Sequence, residues 1–369
     1  MSTQIKAAVC RACDAPLTIE TLELAAPGTG EVQVRMEGVA ICHSDIAYID
    51  GGWGGTLPSV YGHEGVGRIT ATGPGVSAFD EGDRVLVTLI RACHGCSSCA
   101  TGYPAYCDGN AIKPAHLSDA SGAPVLAGMN CGGFAEAVTV DASQLVRVPE
   151  EMPAESACLL SCGVITGIGA AVNTANLRPG QVAVVIGAGG VGLNAIQGAR
   201  IAGASRIVAI DMSEEKLAIA TEFGATDGIL ASDPEADVKL RALAPKGADA
   251  VLLCTGAIQA HQTALEYLAP RGKVILVGMP DIGQTVSLEP VNIAAAGQHI
   301  VGSKMGDAVL ARDIPWMIDL YRQGRLKLDE LVSGRWSLEQ INDAIADTKL
   351  SLIHISEPTR LESKSRIPG

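Results

Sequence analysis

The chain has 369 residues, a formal net charge of -13 at pH 7 and an apolar fraction of 47%. This length suggests about two domains, and the apolar content excludes an intrinsically disordered chain. Binding of nucleic acid requires clustered Lys and Arg side chains that neutralise phosphates, and the sequence contains no such cluster. The composition therefore favours a small-molecule substrate and no nucleic-acid partner.

The sequence also bears on the compartment. No apolar stretch reaches the roughly 20 residues that span a bilayer, so no membrane association is expected. The N-terminal residues lack the basic and apolar regions of a signal peptide. In a chain of this kind, the 11 cysteines favour metal binding over disulfide bonds. We therefore expect a cytoplasmic protein.

The first part of the chain, residues 1–163, has short apolar runs separated by Gly, Pro and Asp. This pattern is typical of many short β-strands. The clearest runs are Val32–Met36, Val66–Thr70, Arg84–Ile90 and Ala135–Val140.

The middle part, residues 164–303, alternates apolar runs with helix-like segments. The runs are Val182–Ile186, Arg206–Ile210, Ala250–Cys254 and Lys273–Val277, and the helix-like segments include Leu193–Ile201 and Ser213–Phe223, with Ser213 as the expected N-cap. Such alternation predicts an α/β fold with a doubly wound parallel sheet. Residues 304–349 again suggest helix and loop.

The most specific local motif contains four cysteines, Cys93, Cys96, Cys99 and Cys107. Four thiolates in one short segment can close a tetrahedral shell around zinc and leave no open position, as in a structural site. Two disulfides are an alternative, which the absence of a leader disfavours. An iron–sulfur cluster is another, but its usual run has a fourth cysteine three residues on and followed by Pro.

Three dispersed residues suggest a second zinc site. Cys42 lies in a CHSD sequence, His63 in GHEGVG and Cys162 in LSCG. Two thiolates and one imidazole would leave one zinc position open for water or an alcohol, which is a catalytic arrangement. Each residue alone is a weak signal, and spacing cannot unite residues this far apart.

A glycine-rich sequence, GAGGVG, follows the apolar run Val182–Ile186. Gly187 permits a tight turn, Gly189 lets the backbone approach a pyrophosphate, and Gly192 allows close packing of helix on strand. The helix N-terminus would attract the phosphates. Asp211, at the end of the next strand, can bind the ribose hydroxyls and would repel a 2′-phosphate, which favours NAD over NADP.

The ordered set of these motifs resembles the zinc-containing medium-chain alcohol dehydrogenases of the long, class I/III-like form, over residues 5–349. The resemblance implies a GroES-like, mostly β catalytic domain at 1–163 that includes the four-cysteine lobe and is completed by 304–349. It further implies a Rossmann domain that binds NAD at 164–303, two zinc ions per subunit and a homodimer.

The resemblance also assigns roles to individual residues. Cys42, His63 and Cys162 match the catalytic zinc ligands, Glu64 an acidic neighbour of the metal, and Ser44 the hydroxyl that receives the substrate's proton. Asp45 matches the carboxylate that orients the histidine ligand, and Trp53, Leu89 and Phe134 match residues of the substrate channel. Positions matching cofactor contacts are His43, Thr166, Gly187, Gly189, Gly190, Val191, Gly192, Asp211, Lys216 and Val277.

The activity that the resemblance implies is hydride transfer between an alcohol and NAD, giving the aldehyde, with primary alcohols expected and aromatic ones included. Two alternatives remain, a thiol-dependent (glutathione-type) formaldehyde dehydrogenase and a non-catalytic homologue that binds zinc and NAD. Many relatives carry a proton-relaying His where Ala47 stands. Ala111 and Trp53 replace charged residues of the glutathione-dependent relatives, although Lys113 keeps that alternative open.

The C-terminal segment 350–369 does not resemble the family. It begins with LSLIHISEPTR, which is similar to the translation of a transposase adapter used in sequencing libraries. We therefore expect residues 350–369 to be foreign to the natural protein.

Overall fold

The computed structural model describes residues 2–109 and 116–350, and the chain divides into two compact units. The first unit comprises Met1–Cys93, Gly109–Cys162 and Leu328–Gly369, and the second comprises His94–Asp108 and Gly163–Lys327. Positions 111 and 113 and the segment 351–369, on which part of the sequence analysis depends, lie outside the described residues.

Strands dominate the first unit and alternate with helices in the second. The strands are β1 (Thr3–Cys10), β2 (Thr18–Leu24), β3 (Glu31–Ala40), β4 (Ser59–Val60), β5 (Glu64–Thr72), β6 (Arg84–Val87), β7 (Leu117–Ser118), β8 (Pro124–Ala127), β9 (Ala137–Asp141), β10 (Leu145–Arg147), β11 (Val182–Ile186), β12 (Arg206–Asp211), β13 (Asp227–Leu230), β14 (Ala248–Leu253), β15 (Leu268–Leu276) and β16 (His299–Gly302). The α-helices are α1 (His43–Ile49), α2 (Ser97–Ala100), α3 (Ala154–Leu159), α4 (Gly163–Gly169), α5 (Gly190–Ile201), α6 (Glu214–Phe223), α7 (Ala236–Leu243), α8 (Ile258–Thr263), α9 (Pro290–Ala296), α10 (Leu310–Arg322) and α11 (Ile341–Leu350). Among the described residues, no helix combines the length and the apolar character that crossing a bilayer requires.

The first unit is built from two β-sheets around one apolar core. Strands β1, β2, β7, β8 and β4 form a closed barrel, and β10, β6, β5, β3 and β9 form a five-stranded sheet. The longest pairing joins β3 and β5 in antiparallel fashion, from Val32 opposite Thr72 to Ala40 opposite Glu64. This register places the start of β5, where a predicted ligand lies, beside the end of β3. Residues Ile341 and Ile345 of α11 join the same core.

The second unit contains a parallel six-stranded sheet in the order β13-β12-β11-β14-β15-β16. The order reverses at β11, and ligands of open α/β sheets bind at such a switch point, outside the carboxyl ends of the strands. Strand β11 is almost fully buried between its neighbours, as its unbroken apolar run predicts. The α/β fold, with its mostly β part and its doubly wound sheet, is thus confirmed.

The predicted domain ranges differ from the observed units at two places. The segments 94–108 and 304–327 belong to the second unit rather than the first. Hydrogen bonds connect these segments within the second unit: the Tyr106 hydroxyl donates to the Asp307 carboxylate at 2.8 Å, and the side-chain oxygen of Gln197 accepts from the Lys327 backbone N–H at 2.8 Å. Neither contact has a signature in the sequence.

Candidate functional site

Four side chains that are far apart in sequence meet in the first unit. The ligand atoms of Cys42, His63, Glu64 and Cys162 all lie within 4.8 Å of one another. Cys42 immediately precedes α1, Glu64 begins β5, and Cys162 follows α3. The exposed fractions of His63, Glu64 and Cys162 are 1%, 4% and 6%. A largely buried set of two sulfurs, one imidazole and one carboxylate has the chemistry of a zinc site.

The imidazole of this cluster is oriented by a buried carboxylate. Asp45 Oδ1 lies 3.0 Å from His63 Nδ1 and also accepts the Gly62 backbone N–H at 2.9 Å. Its other oxygen accepts the Cys42 N–H at 3.0 Å. His63 Nε2 is buried and has no hydrogen-bond partner among the described residues. Because Nδ1 is held by Asp45, the Nε2 lone pair is available to a metal ion, so these residues fit zinc.

The charges of the cluster depend strongly on one another. The adjacent Cys162 thiol and His63 imidazole hold the pKa of the Cys42 thiol well below its usual value, despite burial. Burial opposes a charge on His63, but Asp45 and Cys42 raise the pKa of the imidazole well above its usual value. Burial, together with the charge of Cys42, raises the pKa of Glu64. These directions favour a thiolate at Cys42 beside protonated His63 and Glu64, and a divalent cation bound there would displace those protons.

The four-cysteine lobe is compact and open to solvent. The sulfurs of Cys93, Cys96, Cys99 and Cys107 lie within 4.8 Å of one another, with Cys93 exposed and the other three partly exposed. Cys96 and Cys107 Sγ are 3.8 Å apart, and the Cys99 N–H donates to Cys96 Sγ at 3.5 Å. None of the four forms a disulfide bond within the described residues. Four converging sulfurs make a closed shell for zinc.

The glycine-rich turn lies at the switch point of the parallel sheet. Gly187 has φ of +91° and directly follows β11. A Cβ on Gly192 would lie 1.8 Å from the Gly187 carbonyl oxygen, so only glycine fits there. A Cβ on Gly189 would meet no atom within 4 Å, which leaves the backbone open at the N-terminus of α5. The turn therefore fits a pyrophosphate bound at a helix N-terminus.

Asp211 closes the same site from the next strand. It is the last residue of β12, and its carboxylate accepts the backbone N–H groups of Ala188 at 2.7 Å and Ser213 at 3.0 Å. These bonds tie the tip of β12 to the turn after β11. The carboxylate is thereby fixed beside the turn, where a ribose would lie if the pyrophosphate occupied the α5 N-terminus.

Comparison with known proteins identifies the relatives of this chain. The family model described as "Alcohol dehydrogenase GroES-like domain" matches residues 28–150, and the model described as "Zinc-binding dehydrogenase" matches residues 190–323. The chain is 32% identical to an S-(hydroxymethyl)glutathione dehydrogenase of Paracoccus denitrificans, over 96% of this chain and 98% of the relative. It is 36% identical to an NDMA-dependent alcohol dehydrogenase of Amycolatopsis methanolica, over 93% and 95% of the two chains. The crystal structure of benzyl alcohol dehydrogenase from Acinetobacter calcoaceticus superposes with a TM-score of 0.90 and is 30% identical, over 98% of this chain and 100% of that one.

The chain belongs to the zinc-containing medium-chain alcohol dehydrogenase family. The resemblance predicted from the sequence is confirmed. The protein is an oxidoreductase that depends on zinc and NAD, and small-molecule alcohols or aldehydes are its substrates.

The remaining predicted positions of this alcohol dehydrogenase lie as follows. Ser44 is partly buried, with Oγ 3.6 Å from Cys42 Sγ, and His43 beside it is exposed. In the second unit, Thr166 is buried on α4, Lys216 is half-buried on α6, and Val277 directly follows β15. Gly190 and Val191 form the first turn of α5.

Apolar and aromatic side chains lie along the segments that carry Ser44 and His63. Phe134 is buried, and its ring would lie 2.6 Å from a Cβ on Gly62, the residue before His63. Tyr48 stacks on Tyr61 at a ring distance of 5.7 Å, and Trp53 meets Tyr48 edge-on at 5.5 Å. Leu89 packs against the same core. Tyr48 follows Ser44 by one helical turn and therefore shares its face of α1.

Some residues beside these sites were missed by the sequence analysis. Tyr106, Thr174 and Asp307 form a hydrogen-bonded chain in the second unit, at distances of 2.8 Å for both bonds to Asp307. No spacing or motif marks them. One available signal was Tyr106 itself, an aromatic residue directly before a predicted zinc ligand.

Proposed function

We propose that this alcohol dehydrogenase oxidises primary alcohols, aromatic ones included, to aldehydes with NAD at the buried cluster of the first unit. The observation that carries the proposal is the convergence of Cys42, His63 and Cys162, with His63 Nε2 buried and unpartnered among the described residues. These three would hold the catalytic zinc. When bound, zinc lowers the pKa of the substrate's hydroxyl and NAD accepts the hydride.

The chain's own residues then have distinct roles. Asp45 accepts a hydrogen bond from His63 Nδ1 and so favours the tautomer with its proton on Nδ1, whose Nε2 lone pair faces the cluster. Ser44 receives the proton from the substrate's hydroxyl, since its Oγ lies beside Cys42 Sγ. Glu64 supplies a nearby carboxylate that can approach the metal during ligand exchange. In the lobe, Cys93, Cys96, Cys99 and Cys107 would hold a structural zinc.

The second unit would bind NAD through the glycine-rich turn. Gly187, Gly189, Gly190, Val191 and Gly192 would contact the pyrophosphate, together with His43. Thr166 and Val277 would face the nicotinamide, and Lys216 and Asp211 the adenosine ribose. A carboxylate at Asp211 would repel a 2′-phosphate, so Asp211→Asn should lower the ratio of kcat/KM for NAD to that for NADP by about tenfold or more. An unchanged ratio would place the selectivity elsewhere.

Aromatic alcohols are proposed because the rings of Tyr48, Trp53, Tyr61 and Phe134 lie along the segments that carry Ser44 and His63. Aromatic faces and edges pack favourably against an aromatic substrate. The similarity to a benzyl alcohol dehydrogenase supports this choice. Ala47 leaves no imidazole to continue the proton relay after Ser44.

A second candidate is oxidation of the adduct of formaldehyde and glutathione. It is favoured by the 32% identity to the Paracoccus enzyme. It is disfavoured by Trp53, which is apolar where a charged adduct would need polar partners. The test is NADH formation with aliphatic and aromatic alcohols, and with formaldehyde plus glutathione, each with and without a zinc chelator.

Each outcome of that test supports a different function. Chelator-sensitive activity on free alcohols, highest for aromatic ones, supports the proposal. Activity that requires glutathione supports the second candidate. Binding of NADH and zinc without activity on any of these substrates would indicate a non-catalytic homologue.

We propose a homodimer formed through the edge of the parallel sheet. Strand β16 is the edge strand, and exposed edges pair readily with another chain. Beside it, exposed apolar residues form an unusual concentration: Met279, Ile282, Leu288, Val291 and Ile300, each at least 41% exposed. Light scattering should give twice the mass of one chain, and Ile300→Lys together with Val291→Lys should give a monomer.

We also propose that the enzyme is cytoplasmic. None of its eleven cysteines, all of which lie among the described residues, forms a disulfide bond. An oxidising compartment would convert clustered thiols to disulfides, whereas the cytosol keeps them available to zinc. Fractionation of the source cells with an antibody against this chain would test the location.

A further inference from the structure

A strained loop in the second unit is defined by residues 303–308, which we call the 303–308 loop. Three successive residues, Met305, Gly306 and Asp307, have left-handed φ values of 52°, 63° and 50°. Residues other than glycine rarely adopt this conformation, and a run of three is more costly than one. Such a run persists only where the surrounding contacts fix it.

One set of contacts comes from the helical segment that follows α4. Asn173 Nδ2 donates to the Gly306 carbonyl at 3.1 Å, and Thr174 Oγ1 donates to Asp307 Oδ2 at 2.8 Å. The hydroxyls of Thr174 and Ser303 are 2.7 Å apart. These bonds hold the loop against the helical segment that contains Asn173 and Thr174.

A second set comes from the four-cysteine lobe, through a single hydroxyl. Tyr106 Oη donates to Asp307 Oδ1 at 2.8 Å and accepts the Lys304 backbone N–H at 3.0 Å. Tyr106 therefore bonds the residues on both sides of Met305 and Gly306. It ends the short 3-10 helix Pro104–Tyr106 and directly precedes Cys107. The position of its hydroxyl is thus set by how the lobe folds.

On its other side the loop touches the helix that carries Thr166. A Cβ on Gly306 would lie 2.4 Å from the Ile165 carbonyl oxygen and 2.9 Å from that of Thr166, so backbone meets backbone. Met305 Sδ lies 3.7 Å from Thr166 Oγ1. With no space between loop and helix, a shift of the loop reaches Thr166 directly.

We propose that Tyr106 is a positioning residue for the cofactor: by fixing the 303–308 loop against α4, it transmits the folded state of the four-cysteine lobe to Thr166. The inference rests on the proposed function, in which Thr166 faces the nicotinamide. It gives the lobe a role in NAD binding beyond stabilising its own segment.

The test compares Tyr106→Phe with Tyr103→Phe in the full-length, zinc-loaded enzyme. Tyr103 is the matched control, because its ring packs 6.5 Å from that of Tyr106 but none of the loop contacts above involves it. In Tyr106→Phe, the Kd for NADH measured by fluorescence titration and the KM for NAD should both rise about fivefold. Zinc content, melting temperature and KM for the alcohol should stay close to wild type in both variants.

A second arm asks whether the hydroxyl acts through Asp307. Asp307→Asn keeps a residue that tolerates the left-handed conformation but removes one of the two acceptor oxygens. It should also weaken NADH binding, and adding Tyr106→Phe should weaken binding no further. Full additivity of the two effects would show that the hydroxyl acts by another route and would overturn the proposed path.

The outcomes separate this inference from the proposed function. Unchanged NADH affinity in Tyr106→Phe, or an equal loss in Tyr103→Phe, overturns the inference while alcohol oxidation by the wild type stands. A wild type that binds NADH but oxidises no alcohol overturns the proposed function alone, and the NADH titration of the variants still decides the role of Tyr106. A wild type that does not bind NADH overturns both.

Discussion

The two cysteine-rich clusters of this molecule achieve a similar concentration of ligand atoms in opposite ways. The lobe takes its four sulfurs from residues 93–107, with Cys93 exposed to solvent. The other cluster takes its ligands from residues 42–162 and buries three of its four side chains. The lobe is therefore defined by its own segment, whereas the buried cluster exists only when β3, β5 and the end of α3 are in place.

The difference in burial also divides their chemistry. In the buried cluster, each charge is strongly felt by the others, because little water screens them. His63 accordingly has a carboxylate, Asp45, that is itself fully buried and fully hydrogen-bonded. The open lobe needs no such supporting carboxylate. A buried site with two thiolates and one imidazole would leave one zinc position for a substrate and is suited to catalysis, whereas a closed shell of four thiolates is suited to holding a segment together.

The largest expected effect is loss of the catalytic metal. Cys42→Ala should remove one zinc ion per chain and lower kcat/KM by about three orders of magnitude or more, since several kcal/mol of transition-state stabilisation depend on the metal. Circular dichroism should be unchanged. Cys10→Ala is the control, because Cys10 is buried in the same unit but lies outside both clusters. Comparable loss in both variants would contradict the assignment.

The second effect concerns the supporting carboxylate. Asp45→Asn preserves shape but removes the charge next to His63 Nδ1 and can place an amide N–H where an acceptor is needed. Activity or affinity for the catalytic zinc should fall about 10- to 100-fold, as for other such partners. Zinc in the lobe should be retained. Steady-state kinetics and metal analysis on the same preparation measure both, and full activity would show that burial alone orients the imidazole.

The sequence predicts local sites, such as the lobe, better than sites assembled from distant segments, such as the buried cluster. The lobe and the glycine-rich turn are local, so spacing alone indicates their ligands and the conformation of Gly187 and Gly192. The buried cluster required resemblance to a family, because no spacing joins Cys42 to Cys162. The strand pattern predicted the sheets, although β7 and β8, which close the barrel, are too short to recognise. The two compact units divide the chain differently from the predicted ranges after residue 303, and side-chain hydrogen bonds within the second unit, such as that of Gln197 with Lys327, have no sequence pattern.

A smaller effect is expected from the lobe. Cys107→Ser should remove the other zinc ion and lower the melting temperature by about 5 °C or more, because metal binding there is coupled to folding of the segment. The kcat should change less than twofold, while the KM for NAD should rise as in Tyr106→Phe. A collapse of kcat at temperatures where the variant is folded would mean that the two clusters are not separable.

The smallest effect is expected at Cys13, which has the spacing of a lobe cysteine but belongs to neither cluster of ligand atoms. Cys10 and Cys13 repeat the two-residue gap of Cys93 and Cys96, but no further ligand joins them among the described residues. Cys10 is buried in the barrel core at the end of β1, whereas Cys13 is exposed and its side chain lies against Gly51. Because the Cys10 side chain packs in the core and the Cys13 side chain is exposed, we expect no metal ion to bind both sulfurs. Cys13→Ser should therefore leave zinc content, kcat/KM and melting temperature unchanged, and a fall in zinc content would show that spacing alone suffices to bind metal in this chain.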